Sequence, residues 1–310
     1  MRWVIHIGTQ KTGSKAIQLF LNNEPARIRH IHYCLPKSGR SGIWHQPLYE
    51  ALQNGHYELL KSVVDEGNKS GADVGILSYE GLHMLESQHI QEMMNILGGG
   101  KIVLFIRRQD QFVNSMYNQL IKAHRVTYSR IMQFQASLLE YNSDYNYLST
   151  IQKWGAVFGQ KNILPIIYDK QACSIRQFLD RVHLSADFSG YKPSNPNPAL
   201  DAASLSLFLE IKQQCINVDA LPRLMTVAHQ LLRERFVDTY SSGEEQYLFS
   251  MREREQIYRH YLEANEQLRA LFFPEQNALF PPLEYAEACR NNMPLDQAAL
   301  ESIFDKAGVV

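Results

Sequence analysis

An apolar run that enters a short polar loop bounded by two glycines constrains this chain more than any other feature. Residues 3–7 read as a buried strand, the loop lies between Gly8 and Gly13, and an amphipathic helical pattern covers residues 14–23. A strand, a tight loop and a helix amino terminus bring several backbone N–H groups to one point, with the positive end of the helix dipole behind them. The pattern predicts an anion site, with phosphate as the usual occupant. The alternative is an ordinary strand–loop–helix turn.

The loop departs from the common ATP- and GTP-binding loop. That loop reads Gly, four residues, then Gly-Lys-Ser/Thr, with the lysine at the terminal phosphates and the hydroxyl on magnesium. Here the two glycines keep the spacing, but Ser14-Lys15 has the reversed order and a further lysine, Lys11, lies inside the loop. No acidic residue that closes an apolar strand suggests a magnesium ligand beside the loop. The residues therefore indicate phosphate chemistry without that metal arrangement.

A second candidate anion site follows another apolar run. Residues 102–106 are typical of a strand buried on both faces, and the run ends abruptly in Arg107 and Arg108. A helical pattern comes next and carries Ser115. A guanidinium at a strand end and a hydroxyl on the following helix can share one phosphate, with the arginine forking onto two oxygens. The alternative is that the two arginines are solvated charges and Ser115 is a neutral helix residue.

Together the two segments resemble the PAPS-dependent sulfotransferases, which take a sulfuryl group from 3′-phosphoadenosine-5′-phosphosulfate. Lys11-Thr12-Gly13-Ser14 matches the family's loop for the 5′-phosphosulfate, and Arg107 with Ser115 matches its pair for the 3′-phosphate. The likeness covers roughly residues 1–210, is greatest for bacterial sulfotransferase-like proteins and the carbohydrate branch, and departs at Lys15, where a hydroxyl residue is common. The donor contacts that the resemblance implies are Gln10, Lys11, Thr12, Gly13, Ser14, Lys15, Arg107 and Ser115.

The resemblance implies direct in-line transfer of the sulfuryl group to a hydroxyl or amine acceptor, with a carbohydrate as the expected acceptor. PAPS would be the co-substrate, adenosine 3′,5′-bisphosphate the product, and no metal is expected. Lys11 would stabilise the charge that develops on the bridging oxygen as the product leaves. Two other functions stay open: a P-loop nucleotide kinase or hydrolase, and a catalytically inactive nucleotide-binding protein.

The acceptor must lose a proton, and two residues are candidates to take it. Glu80 follows the predicted strand 74–78 in a Ser-x-Glu pattern that is familiar in bacterial and carbohydrate sulfotransferases. His45, just before a predicted helix at 46–53, is the alternative. Each has a simpler interpretation: Glu80 as a charge that complements a helix dipole, and His45 as a core or helix-start histidine.

Strands alternating with helices predict an α/β fold, a P-loop-type parallel sheet flanked by helices with a mostly helical C-terminal extension. Strands are predicted at residues 3–8, 74–78, 102–107 and 163–168, with a weaker one at 31–35. Helices are predicted at residues 14–23, 47–66, 88–97, 109–123 and 145–158. Residues 1–190 form the predicted PAPS-binding core, and residues 191–310 a helical region packed on it as part of the same domain. Ligands of such sheets bind at the carboxyl ends of the strands, so both anion sites should share one edge.

Cations recur in the C-terminal half, where they could line a groove for an acidic saccharide. Glutamates are interspersed with them, so we expect solvated helix faces instead. These cations are Arg223, Arg233, Arg235, Arg252, Arg254, Arg259 and His260.

Global properties narrow the partners and the location. A net charge of −1 argues against a general nucleic-acid-binding surface. The four cysteines are far apart and lack metal-ligand spacing, as expected of reduced thiols in an intracellular protein. No apolar run is long enough to cross a bilayer and no signal peptide is recognised, so we expect a cytoplasmic protein. The oligomeric state and the identity of the acceptor stay open.

Overall fold

The computed structural model describes residues 1–33, 42–122, 145–192, 202–215, 217–235, 247–283, 285 and 296–309. The end of the weak predicted strand (residues 34 and 35), the last residue of the helix predicted at 109–123, and two of the cysteines, Cys34 and Cys289, lie outside the described residues. None of the described helices is long and apolar enough to span a membrane.

A parallel sheet of five strands in the order β2-β3-β1-β4-β5 forms the centre of the fold. The strands are β1 Arg2–Gly8, β2 Ile31–Tyr33, β3 Val74–Ser78, β4 Lys101–Ile106 and β5 Ile163–Ile167. Their bounds lie within two residues of the predicted strands, and the predicted α/β class is confirmed.

Helices connect these strands and make up most of the described residues of the C-terminal region. They are α1 Ser14–Asn23, α2 Gln46–Gln53, α3 Glu58–Lys69, α4 Ser87–Leu97, α5 Gln109–Lys122, α6 Tyr147–Phe158, α7 Ser174–Arg181, α8 Ala202–Gln214, α9 Leu221–Arg235, α10 Met251–His260, α11 Leu262–Phe272 and α12 Gln297–Ala307. The helix predicted at 47–66 is wrong in one respect, because it is two helices, α2 and α3. Gly55 lies between them with φ 72°, a left-handed conformation that a continuing helix does not contain.

The chain divides into two compact units, and the sheet belongs to the first. The first unit comprises Met1–Arg107, Ser143–Asn195 and Glu263–Phe280, and the second comprises Arg108–Asn142, Pro196–Leu262 and Pro281–Val310. The predicted organisation of one core and a helical region within a single domain stays a prediction.

In the first unit, α1 and α7 share one hydrophobic core with the sheet. This core joins Val4, Ile76, Val103 and Phe105 of the strands to Ile17, Phe20 and Leu21 of α1 and to Ile175, Phe178 and Leu179 of α7. Fully burying an aliphatic or aromatic side chain of this size contributes roughly 1.5–3 kcal/mol. The packing therefore fixes both helices against the sheet.

A buried charge cluster organises the second unit. Asp110, at the start of α5, is fully buried and accepts hydrogen bonds from Arg108 Nε at 2.7 Å and from Arg254 Nε at 2.9 Å. The Arg254 guanidinium also lies 3.5 Å from the centroid of the Tyr247 ring. Since Arg254 is fully buried, the expectation that it lies on a solvated helix face is wrong.

Candidate functional site

The loop between β1 and α1, residues 9–13, lies at the carboxyl end of the central strand. β3 and β4 flank β1 and run parallel to it, so the residues that follow them reach the same edge. Glu80 follows β3, and Arg107 follows β4 directly. The sheet order thus brings Glu80 and Arg107 to the same edge as the β1–α1 loop.

Side chains in and next to the β1–α1 loop form hydrogen bonds to backbone oxygens and so stabilise the conformation of the loop. The N–H and the hydroxyl of Thr9 donate to Phe105 O at 3.1 and 3.0 Å. Thr12 Oγ1 and Ser14 Oγ both donate to Thr9 O, at 2.6 and 3.2 Å, and both residues are buried. The Ser14 hydroxyl can therefore donate to an anion only by turning away from Thr9.

Backbone donors of the loop, in contrast, are unpaired. Within the described part of the chain, no N–H group of residues 10–15 donates a hydrogen bond. Lys11 (φ 61°) and Gly13 (φ 87°) have left-handed backbone conformations, a feature of the concave amide nests that bind anions. The N–H groups at the start of a helix lack intrahelical partners, so this array is available to an anion.

Two close approaches explain why glycines bound this loop. A Cβ atom at Gly8 would lie 2.9 Å from the carbonyl oxygen of Glu80. A Cβ atom at Gly13 would lie 2.4 Å from the hydroxyl oxygen of Ser174, the first residue of α7. Neither site has room for a side chain. No sequence pattern pointed to Ser174, because β5 and a further connection separate it from the loop.

Lys11 and Arg107, the two predicted anion-binding cations, lie next to each other. Arg107 Nη1 donates to the backbone oxygen of Lys11 at 3.1 Å, and its guanidinium lies 5.3 Å from the centroid of the Tyr168 ring. The hydroxyl of Tyr147 donates to Arg107 O at 2.7 Å and so holds the end of β4. Sequence reasoning missed both tyrosine contacts.

The surroundings of Lys11 make it a weaker base than an ordinary lysine. Burial, followed by the positive charge of Arg107, lowers the pKa of Lys11 to about 8, while Glu80 partly opposes the shift. The other predicted donor contacts differ in exposure: Gln10 is half-buried and Lys15 is exposed. Ser115 lies on α5 in the second unit, and its role stays a prediction.

Glu80 is oriented by a residue that sequence reasoning missed. Gln18, fully buried on α1, donates through Nε2 to Glu80 Oε2 at 3.2 Å and to Ser78 Oγ at 3.2 Å. Ser78 Oγ also bonds His6 Nδ1 at 2.8 Å. A polar residue on the apolar side of α1, beside Ile17, was the available signal. Gln18 therefore orients the Glu80 carboxylate by a hydrogen bond from α1.

His45, the alternative base, is fully buried at the end of β3. Its backbone N–H donates to Ser78 O at 3.1 Å, and its Nδ1 lies 3.2 Å from Ser78 N, close enough to accept from that N–H. Burial lowers the pKa of His45 to about 3, so the imidazole is neutral at physiological pH. A base this weak accepts a proton poorly near neutrality.

The assembled groups can hold an anion and accept a proton beside it. Unpaired amides and two cations could hold an anion, and Glu80 is close enough to Lys11 to influence its pKa. Among the described residues there is no group of three or more His, Cys, Asp or Glu that could hold a metal ion.

Comparisons with known proteins give weak likenesses. The chain matches no protein-family model. An uncharacterized protein of Archaeoglobus fulgidus is 23% identical over 211 residues, which are 66% of this chain and 55% of the archaeal protein, so the match spans little more than half of that relative. The crystal structure of a sulfotransferase from Alicyclobacillus acidocaldarius is similar with a TM-score of 0.43 and 15% identity, over 87% of this chain and 95% of that one. Likenesses this weak carry no functional conclusion.

Proposed function

We propose that this chain is a PAPS-dependent sulfotransferase that acts in the cytoplasm on a hydroxyl or amine, with a carbohydrate as the acceptor. One observation carries the proposal: the Arg107 guanidinium contacts the same loop that holds Lys11 and the unpaired amides of residues 10–15. A donor with phosphate groups on both sides of one ribose needs two anion-binding groups near each other. The likeness of both segments to the sulfotransferase motifs supports the same choice.

The donor would lie across the carboxyl edge of the sheet. The amides of residues 10–15 would hold its 5′-phosphosulfate, and Arg107 would hold its 3′-phosphate by a forked contact. Tyr147 and Tyr168 fix the backbone and the guanidinium of Arg107, so this side chain is partly ordered before the donor arrives. Such ordering lowers the entropic cost of binding.

The chemical step would be a direct displacement at sulfur. The acceptor oxygen forms a bond to sulfur while the bond between sulfur and the bridging oxygen of the 5′-phosphate breaks, and the acceptor proton moves to Glu80. Protonated Lys11 stabilises the charge on the departing bridging oxygen, and adenosine 3′,5′-bisphosphate leaves. Gln18 keeps the carboxylate oriented. Since His45 is buried and neutral, we assign it to packing and Glu80 to proton transfer.

Thermal unfolding with candidate nucleotides tests the donor. Adenosine 3′,5′-bisphosphate at 100 times its Kd should add about 2.7 kcal/mol to the free energy of unfolding. In Arg107→Ala, the bisphosphate should lose most of its stabilising effect. The stabilisation by adenosine 5′-phosphate, which lacks the 3′-phosphate, should fall less. Arg2→Ala, which removes an exposed arginine from the start of β1, is the matched control and should behave like the wild type. Stabilisation by ATP with magnesium but not by the bisphosphate would instead indicate the kinase or hydrolase.

Turnover of PAPS tests the chemistry. Release of adenosine 3′,5′-bisphosphate should be measured with water alone and with a panel of neutral and acidic saccharides. Glu80→Gln should lower the transfer rate by about 10²–10⁴-fold, the usual contribution of a general base, while the affinity for the bisphosphate stays within a few-fold. Binding without any release would indicate the inactive nucleotide-binding protein.

A further inference from the structure

The start of α7 lies against the β1–α1 loop. β5 adjoins β4, and the chain returns from β5 to begin α7 at Ser174. Because α7 and α1 pack into the same core on one face of the sheet, their amino termini reach the same edge. Two helix dipoles thus direct partial positive charge at this point.

The Ser174 hydroxyl has no hydrogen-bond partner among the described residues, although Ser174 is only 9% exposed. Its oxygen and its Cβ would lie 2.4 and 2.6 Å from a Cβ atom placed on Gly13, so the side chain contacts the loop directly. The oxygen is not among the described side-chain atoms that are fully enclosed without a partner, so it keeps access to solvent. An unused and accessible donor beside the loop is available to a ligand.

A separate set of unused donors adjoins it. The N–H groups of residues 10–15 belong to another part of the chain and also donate to nothing in the described structure. The Ser174 hydroxyl on α7 and the amides of residues 10–15 are therefore two separate sources of unpaired donors, and the hydroxyl lies against Gly13 of the loop.

We propose that the Ser174 hydroxyl is a ligand of the anion that the β1–α1 loop binds, and that it donates to an oxygen of the donor's 5′-phosphate group. This assignment rests on the proposed function for the identity of the donor. The hydrogen bond runs from a neutral hydroxyl to a charged oxygen, which is the stronger class of hydrogen bond. Ser174 thereby selects for the 5′ end of the nucleotide, whereas Arg107 selects for the 3′ end.

Three nucleotides separate this role from mere packing against Gly13. Binding of adenosine 3′,5′-bisphosphate, adenosine 5′-phosphate and adenosine 3′-phosphate should be measured by titration calorimetry for the wild type and Ser174→Ala. The variant should bind the two 5′-phosphorylated nucleotides at least about tenfold more weakly and should bind adenosine 3′-phosphate as the wild type does. Ser87→Ala removes the serine at the same helix position of α4, where it is exposed, and should change none of the three.

These measurements distinguish a failure of the proposed Ser174 role from a failure of the proposed function. Equal affinities of wild type and variant for the 5′-phosphorylated nucleotides, or an equal loss for all three nucleotides, would overturn the role of Ser174 and leave the sulfotransferase proposal intact. Failure of the wild type to bind the bisphosphate would overturn the proposed function instead. Titration with inorganic phosphate then decides the role of Ser174 independently, since an unchanged Kd in Ser174→Ala would refute it.

Discussion

If Lys11 holds the donor's phosphate as proposed, its depressed pKa should make donor binding depend on pH in a range where an ordinary lysine stays charged. With a pKa of about 8, the protonated fraction of Lys11 falls from roughly nine tenths at pH 7 to roughly one tenth at pH 9. If only the protonated form binds the 5′-phosphate strongly, the Kd for adenosine 3′,5′-bisphosphate rises by up to about tenfold over this interval. The phosphate groups, with a second pKa of about 6, are already mostly doubly ionised at pH 7 and change little over this interval.

Titration calorimetry at pH 7, 8 and 9 measures this directly, with Lys11→Arg as the matched variant. Arginine keeps its charge over the whole range, so the Kd of Lys11→Arg should be nearly independent of pH even where its geometry makes binding weaker overall. The wild type should also take up a proton on binding near pH 8 and above, because an anion beside Lys11 restores its pKa. Measurements in two buffers of different ionisation enthalpy report that uptake.

The same shift has a consequence for stability, with a definite sign. Between about pH 8 and 10.5 the folded chain has lost the Lys11 proton that the unfolded chain still holds. The free energy of unfolding of the unliganded protein should therefore rise with pH in that window as far as Lys11 contributes. A wild-type Kd that stays constant from pH 7 to 9, or a Lys11→Arg variant with the same pH dependence as the wild type, would refute this account of the loop.

Two further changes test contacts described above. Gln18→Leu removes the hydrogen bond that orients Glu80 and should slow transfer from PAPS by up to about a hundredfold, while calorimetry shows an unchanged Kd for the bisphosphate; a normal rate would exclude the orienting role. Asp110→Ala leaves Arg108 buried without its carboxylate partner. It should lower the free energy of unfolding, measured with urea, by about 3–5 kcal/mol. Glu58→Ala, which breaks an exposed ion pair, should lower the free energy of unfolding by less than about 1 kcal/mol. Similar costs for the two would contradict the importance of the buried cluster.

Local patterns predicted the sheet well because each strand carries its own signal. The apolar run at 74–78 coincides with β3, and the run at 102–106 ends with β4 at Ile106. A strand that is buried on both faces appears in the sequence as a continuous apolar run, whichever strands it pairs with. The division of the predicted helix at 47–66 into α2 and α3 also had a local signal, the Asn54-Gly55 pair, which favours a turn.

Contacts of the candidate site were harder to predict because they join distant parts of the chain. The sheet edge follows from strand order, so the proximity of Lys11 and Arg107 could be expected, although their roles stay predictions. Gln18 and Ser174 belong to no sequence motif. Each is singled out only by a contact that the fold creates, Gln18 with Glu80 and Ser174 with Gly13. Charge patterning failed for Arg254 for the same reason.

Placing β1 in the middle of the sheet has a consequence for how the protein is made. This strand precedes both of its neighbours along the chain, so a nascent polypeptide carries it without a partner until Val74–Ser78 and then Lys101–Ile106 have left the ribosome. Assembly of such a sheet depends on distant segments meeting, which slows folding and prolongs the exposure of apolar surface. The β1–α1 loop takes its final form only when Phe105 is available to accept from Thr9, so on the proposed function the nascent chain becomes able to bind the donor late in its synthesis.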